Sequence, residues 1–148
     1  PAEYPRPDPT GYETWTRKIA NGYTLREIAI GIYGSPEYFE RSGGTNRSYV
    51  DSLYRRILGR APDQRGLDDW TSQLDDQRRG RTDVANGFYQ SIESRRQRVT
   101  NLYQLILQRQ PDPTGMKTWT ERLITLGDVR LAATLATSQE YYQRATRS

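Results

Sequence analysis

Apolar positions recur along this chain with the period of a helix, in two closely similar stretches. Val50, Leu53, Tyr54, Ile57 and Leu58 stand at i, i+3, i+4, i+7 and i+8, and Val99, Leu102, Tyr103, Ile106 and Leu107 repeat the set. That spacing draws one apolar stripe along an amphipathic helix, here called helix A. A second stripe follows each of them. Trp70 with Leu74, and Trp119 with Leu123, lie four residues apart, so each pair shares a face of a second helix, B. The same pairing occurs upstream as Trp15 and Ile19. A third element, helix C, carries Ile28, Ala29 and Ile32, then Val84, Ala85 and Phe88, then Leu131, Ala132 and Leu135. No segment alternates with the period of two that marks a strand.

Turn chemistry sets the expected ends. Asp8, Asp63 and Asp112 each stand seven residues before a Trp and suit an N-cap, with Pro9 and Pro113 in the first turn where a missing N–H costs nothing. Gly22, Gly80 and Gly127 are expected to stop helix B in the left-handed conformation. Helix C is predicted to start at Thr24, Thr82 and Asp128, with Thr24 and Glu27 forming a capping box. A Ser-x-Glu signature at Ser35, Ser91 and Ser138 closes each unit, and Ser35 followed by Pro36 predicts a short extra helix.

The three sets align as repeats. A shift of 49 carries Val50 to Val99, Pro62-Asp63 to Pro111-Asp112, Gly66 to Gly115 and Trp70-Thr71 to Trp119-Thr120. A shift of 55 relates Pro7-Asp8, Gly11 and Trp15-Thr16 to the middle copy. Repetition at a fixed period signals a tandem architecture in which each unit covers its neighbour's apolar face. The expected fold is all-α: tandem helical repeats in a compact bundle or short solenoid of about eight helices. One repeat domain, 1–148, divides into an incomplete first copy without helix A (1–44), a second (45–98) and a third (99–148). The Gly/Ser/Asn cluster from Arg41 to Arg47 is the expected linker. The chain opens on Pro1 without an initiator Met, so a processed form or part of something longer is expected.

The residues Leu53, Tyr54, Ile57, Leu58, Gly59, Arg60, Pro62, Asp63, Gly66, Leu67 and Trp70 together resemble the consensus of a bacterial repeat family named domain of unknown function 4214. The third copy departs at Gln108 and Met116, and the first keeps only the Pro-Asp, Gly and Trp part. The stretch from Ile19 to Ala29, with Ser35 to Tyr38, is also similar to the helical linker domain of phycobilisomes. The resemblance implies a helical fold. Because such domains tend to occur in secreted or surface-associated bacterial proteins, it also implies an extracellular accessory role. A shared fold carries no activity of its own.

Composition narrows the chemistry. The chain has neither Cys nor His, which removes thiol chemistry, disulfides, imidazole or thiolate metal sites and every His-based triad. No cofactor or metal is expected. The hydrophobic fraction is only 34%, with 11 Tyr, 3 Trp and 2 Phe, so rings must supply much of the buried area. Net charge is +4, too mild and dispersed for the concentrated stripe that nucleic acid requires. No apolar run is long enough to span a membrane.

Candidate chemistry is correspondingly sparse. The repeated Trp reads as core, since its i+4 partner is always apolar. The Asp of each Pro-Asp reads as a cap, because calcium takes several carboxylates at close spacing. Asp68-Asp69 and Asp75-Asp76 could suggest paired carboxylates of a glycan-active enzyme, but the other copies do not repeat them, and a solvated acidic face is expected. No catalytic residue is assigned. The candidate ligand contacts are Tyr23, Tyr33 and Tyr89, with the basic clusters Arg78, Arg79, Arg81 and Arg95, Arg96, Arg98. Tyr23, between a Gly stop and a capping Thr, is expected outside the core, whereas Tyr33 and Tyr89 fit either packing between units or a protein or sugar contact patch. The arginines fit either helix-end and ion-pair roles or an anionic polymer. The expected function is a non-catalytic extracellular binding or scaffolding module. Its expected partner is a protein or polysaccharide at the cell surface, or an adjoining domain. The alternative is a carbohydrate-binding accessory module, which requires exposed coplanar tyrosine rings.

Overall fold

A computed structural model of the chain describes Arg17 and residues 21–146. The caps and stripe expected at Asp8, Pro9, Trp15 and Ile19 lie outside the described residues. Eight helices and no strand occur among the described residues: α1 (Leu25–Tyr33), α2 (Pro36–Arg41), α3 (Asn46–Ile57), α4 (Gln64–Asp75), α5 (Arg81–Tyr89), α6 (Ile92–Leu107), α7 (Pro113–Ala136) and α8 (Gln139–Thr146). The fold is all-α. The chain divides into two compact units, one ending at Tyr89 and the other beginning at Gln90. The Arg41 to Arg47 cluster spans the end of α2, the turn Ser42–Thr45 and the start of α3, inside the first unit, with Gly43 and Gly44 at positive φ.

In the first unit α1 packs on α5, and α3 packs on both α4 and α5. The predicted stripe is the core: Val50, Leu53 and Tyr54 are buried with Leu67, Leu74, Val84 and Phe88, and Ile57, Leu58 and Trp70 pack against them. Trp70 sits 5.1 Å from the Phe88 ring. A second aromatic set, absent from the predicted stripes, lies beside it. Tyr49 meets Tyr38 edge-on at 6.0 Å and Phe39 at 5.7 Å. The Tyr49 hydroxyl donates to the Tyr33 carbonyl at 2.7 Å, where the end of α1 leaves backbone acceptors without helical partners. Tyr38 donates to Ser52 Oγ at 3.0 Å, and Ser52 passes its own proton to the Tyr49 carbonyl at 2.6 Å. The hydroxyls of Tyr38, Ser52 and Tyr49 thereby each find an acceptor beside the aromatic cluster.

In the second unit α6 packs along α7, and α8 rests on both. Val99, Tyr103, Leu107, Trp119, Leu123, Leu131 and Leu135 form its core. The predicted B and C helices of this copy run on as α7, broken at Gly127, whose φ of 78° and ψ of 168° are not helical.

Capping follows the expected chemistry in part. Thr24 and Glu27 form only half of the expected box, with Thr24 Oγ1 donating to Glu27 Oε1 at 3.2 Å, whereas Thr45 and Ser48 form the reciprocal pair. Thr24, Asp63 and Asp112 accept from the backbone N–H of Glu27, Gly66 and Gly115. Ser35, Ser91 and Ser138 open the following helices, accepting from the N–H of Tyr38, Ser94 and Tyr141. Ser91 starts a helix that runs without a break into helix A of the third copy, whereas the extra turn at Ser42–Thr45 separates α2 from α3. Gly80 is not a left-handed stop. Gln77 takes that conformation, at φ 58°, after the Asp76 cap of α4, and the Gly80 carbonyl instead accepts the Val84 N–H. Helix C of the second copy accordingly begins at Arg81, one residue before Thr82.

Candidate binding surface

The most repeated residues build a joint between helices A and B. At the turn from α3 to α4, the Asp63 carboxylate accepts from Gly66 N at 2.9 Å. Gly66 lies so close to the Tyr54 hydroxyl that any Cβ there would collide with it. The Arg60 guanidinium stacks over the Tyr54 ring at 5.1 Å and stands 3.7 Å from Asp63. The second unit repeats the joint. Asp112 accepts from Gly115 N at 3.2 Å, a Cβ on Gly115 would lie 2.7 Å from the Tyr103 hydroxyl, and Arg109 stacks over Tyr103 at 5.2 Å. Arg109 also grips Glu140 of α8 with two hydrogen bonds, of 2.7 and 2.9 Å. Gly59 and Gln108 precede these arginines, both at positive φ.

Electrostatics follow from those contacts. The Gly66 N–H holds the Asp63 carboxyl below its ordinary range, and the Arg109 hydrogen bonds do the same to Glu140. Asp68 is also held low, chiefly by its 2.9 Å hydrogen bond from Arg47. Burial pushes the Tyr103 hydroxyl up against the opposing charge of Arg109. All three of these carboxyls are held low, opposite to the raised value that a general acid uses. Three of the four carboxylates at Asp68-Asp69 and Asp75-Asp76 make surface bonds, Asp68 to Arg47, Asp75 to Asn46 at 2.7 Å and Asp76 to Arg78 at 3.3 Å, and Asp69 is exposed.

The sequence-predicted contacts separate into surface and interior. Of the three tyrosines only Tyr23 is exposed, at 48%. Tyr33 is half-buried and meets Tyr38 edge-on at 5.1 Å; burial raises its hydroxyl while Arg56 opposes the shift. Tyr89 is half-buried at the end of α5. Packing, rather than a flat exposed platform, therefore accounts for Tyr33. Arg78 pairs with Asp76, Arg79 is exposed, and Arg81 opens α5 with its guanidinium 4.4 Å from the Phe39 ring centroid. Arg95 is buried: Nε donates to the Gln90 carbonyl at 3.0 Å and Nη1 to the Thr120 carbonyl at 2.5 Å, tying α6 to α7. Arg98 bonds Asp128 at 3.0 Å and Ser94 Oγ at 2.6 Å. Arg96 is exposed. Arg95 and Arg98 are thus internal ties of the second unit, and Arg95 stands four residues before Val99, where the stripe itself points inward.

The surface feature that sequence reading missed is apolar. Ile92, Leu105, Ile124, Leu126, Val129, Tyr141 and Tyr142 are exposed in the second unit, whereas only Tyr23 and Leu25 are exposed among the large hydrophobics described in the first. Leu105 leaves 76% of its surface in solvent.

The family described as "Domain of unknown function (DUF4214)" matches the chain twice, over residues 29–98 and 93–144. No curated protein and no solved structure matches it. The two matches overlap and together span most of the sequence, with the joint at Asp63 inside the first and that at Asp112 inside the second. The chain belongs to the DUF4214 family.

Proposed function

We propose that this chain is a non-catalytic extracellular module that associates with another protein and tethers it. The observation that carries this reading is that seven of the nine exposed large apolar side chains among the described residues lie on the second unit, Leu105 and Ile124 among them. Exposed apolar area is a cost in water that contact with a partner removes. The roles of the charged side chains support the same reading: Asp63 and Asp112 cap helices, Arg95 holds two backbone carbonyls, and Arg109 grips Glu140. An extracellular setting rests on the resemblance of the repeat to secreted and surface-associated proteins.

The test presents the immobilised chain with envelope proteins and, separately, with purified cell-surface polysaccharide. A discrete protein is expected to be retained, with at least a tenfold loss on the Leu105→Glu, Ile124→Glu double variant and no change in its far-UV dichroism. The reading fails if polysaccharide binds wild type and variant alike, with a change in tryptophan and tyrosine fluorescence, while no protein is retained.

A further inference from the structure

The first unit contains a helix pair whose two members are the same element of the repeat. The bounds of α1, Leu25–Tyr33, shift by 56 onto those of α5, Arg81–Tyr89, and the two pack on each other. They run antiparallel. Arg26, at the start of α1, donates to Asn86 in the second half of α5 at 3.3 Å, while Gly34, past the end of α1, lies against Thr82 at the start of α5. Two equivalent helices packed antiparallel are related by an approximate two-fold axis, the arrangement that an isologous dimer makes exact. Ile30, between Arg26 and Gly34 on the same face, is buried although it lies outside the predicted core triplet.

The third copy of this element runs from Asp128 to Ala136 in α7, after the break at Gly127. Its inward face is occupied, since Leu131 and Leu135 are buried where Val84 and Phe88 are in α5. Its pairing face is open. Val129, Ala133 and Thr137 take the places of Arg26 and Thr82, Ile30 and Asn86, and Gly34 and Gln90. Val129 is 64% exposed, and Ala133, Ala136 and Thr137 are exposed too.

We propose that this face docks against the same face of a second copy of the chain, repeating between two molecules the pairing of α1 with α5. Three observations choose that occupant. The chain already uses this surface to pair equivalent helices. The antiparallel geometry closes on itself after one partner, so it gives a dimer and not a fibre. The third copy also carries no charge at the three pairing positions, where the first has Arg26; a self-pairing face sets each residue near its own mate, and like charges there would repel. The contacts of Arg26 and Gly34 place the axis near Ile30, hence near Ala133, whose small side chain permits close approach. Thr137 in place of Gly34 keeps the helix ends slightly farther apart. A face this short gives a weak dimer. The proposal goes beyond the association with another protein and does not depend on it.

The chain has no cysteine, so an Ala133→Cys variant carries a single thiol. Under mild oxidation it is expected to form a disulfide-linked dimer at least tenfold faster than a Ser72→Cys variant, whose thiol would sit on the exposed surface of α4. In sedimentation velocity the wild type is expected to rise from 17.2 kDa toward twice that mass as concentration increases into the hundred-micromolar range. A Val129→Glu variant stays monomeric with unchanged dichroism and melting midpoint. The proposal is overturned if the wild type stays monomeric throughout, if the two thiol variants cross-link at equal rates, or if Val129→Glu associates like the wild type. Retention of another protein through Leu105 and Ile124 is read out separately, so either reading can fail alone.

Discussion

Replacing Tyr49 with Phe isolates one hydrogen bond in the core of the first unit. The ring is fully buried, and its contacts with Tyr38 and Phe39 survive the change. What disappears is the hydroxyl that donates to the Tyr33 carbonyl at 2.7 Å, with the Arg81 carbonyl as a second acceptor at 3.2 Å. The Arg81 carbonyl lies in the first turn of α5 and keeps its place in the helix ladder. The Tyr33 carbonyl, at the end of α1, has no such replacement. Leaving this half-buried acceptor without a partner costs about 1–3 kcal/mol, and the short distance here favours about 2. For a unit of this size that lowers the melting midpoint by roughly 8–16 °C. Tyr38→Phe should cost less, because Ser52 keeps its own 2.6 Å bond to the Tyr49 carbonyl. Thermal and urea unfolding followed by far-UV dichroism give both numbers. A Tyr49→Phe loss below about 0.3 kcal/mol, or one smaller than that of Tyr38→Phe, would refute the role assigned to this hydroxyl.

Other perturbations separate the remaining parts of the account. Gly66→Ala gains helix propensity yet should destabilise, because its Cβ meets the Tyr54 hydroxyl; adding Tyr54→Phe should recover part of the loss, and an additive double mutant would show that the two do not touch. Gln108 holds a left-handed φ of 56° where the second copy has Gly59 at 69°, so Gln108→Gly should stabilise by about 1 kcal/mol in urea titrations, and a loss would contradict the assigned strain. Stability should be flat near neutrality and fall at both extremes. Asp63, Asp68 and Glu140 have lowered folded values, so their contribution is present above the usual carboxylate range and fades as pH drops through the lowered values; Tyr33, Tyr49 and Tyr103 have raised ones, so theirs is complete below about pH 10 and fades as pH climbs past it. Melting midpoints from pH 2 to 12 check the signs, and a maximum at either extreme would reverse them.

Residues that satisfy a local periodicity were legible in the sequence, and those that depend on a partner element were not. Val50, Leu53, Val99 and Leu107 announce themselves by spacing, and Asp63 and Asp112 by their distance from the Trp. Tyr49 and Tyr38 flank those stripes and become core only because α1, α2 and α5 close over them. Ile30 is buried on the side of α1 opposite to expectation for the same reason. Gly80 misled because helix stops are read from glycine, whereas α4 ends earlier, with Gln77 bearing the strain. On the candidate surface, Tyr23 was correctly placed outside by its position between a Gly and a capping Thr. Arg95 was read as a possible outward contact although it continues the Val99 stripe, since an arginine at such a position is buried only when carbonyls such as those of Gln90 and Thr120 await it. The exposed Leu105 and Val129 were invisible, because an apolar residue in a sequence carries no mark of what fails to cover it.

The central claim is that the repeated A helices form the cores of their units, and amide hydrogen exchange tests it residue by residue. The slowest-exchanging amides are expected within Val50–Ile57 of α3 and Val99–Leu107 of α6, with α8 and the turn at Ser42–Thr45 exchanging far sooner. Exchange of the α3 and α6 amides as fast as those of α8 would contradict it.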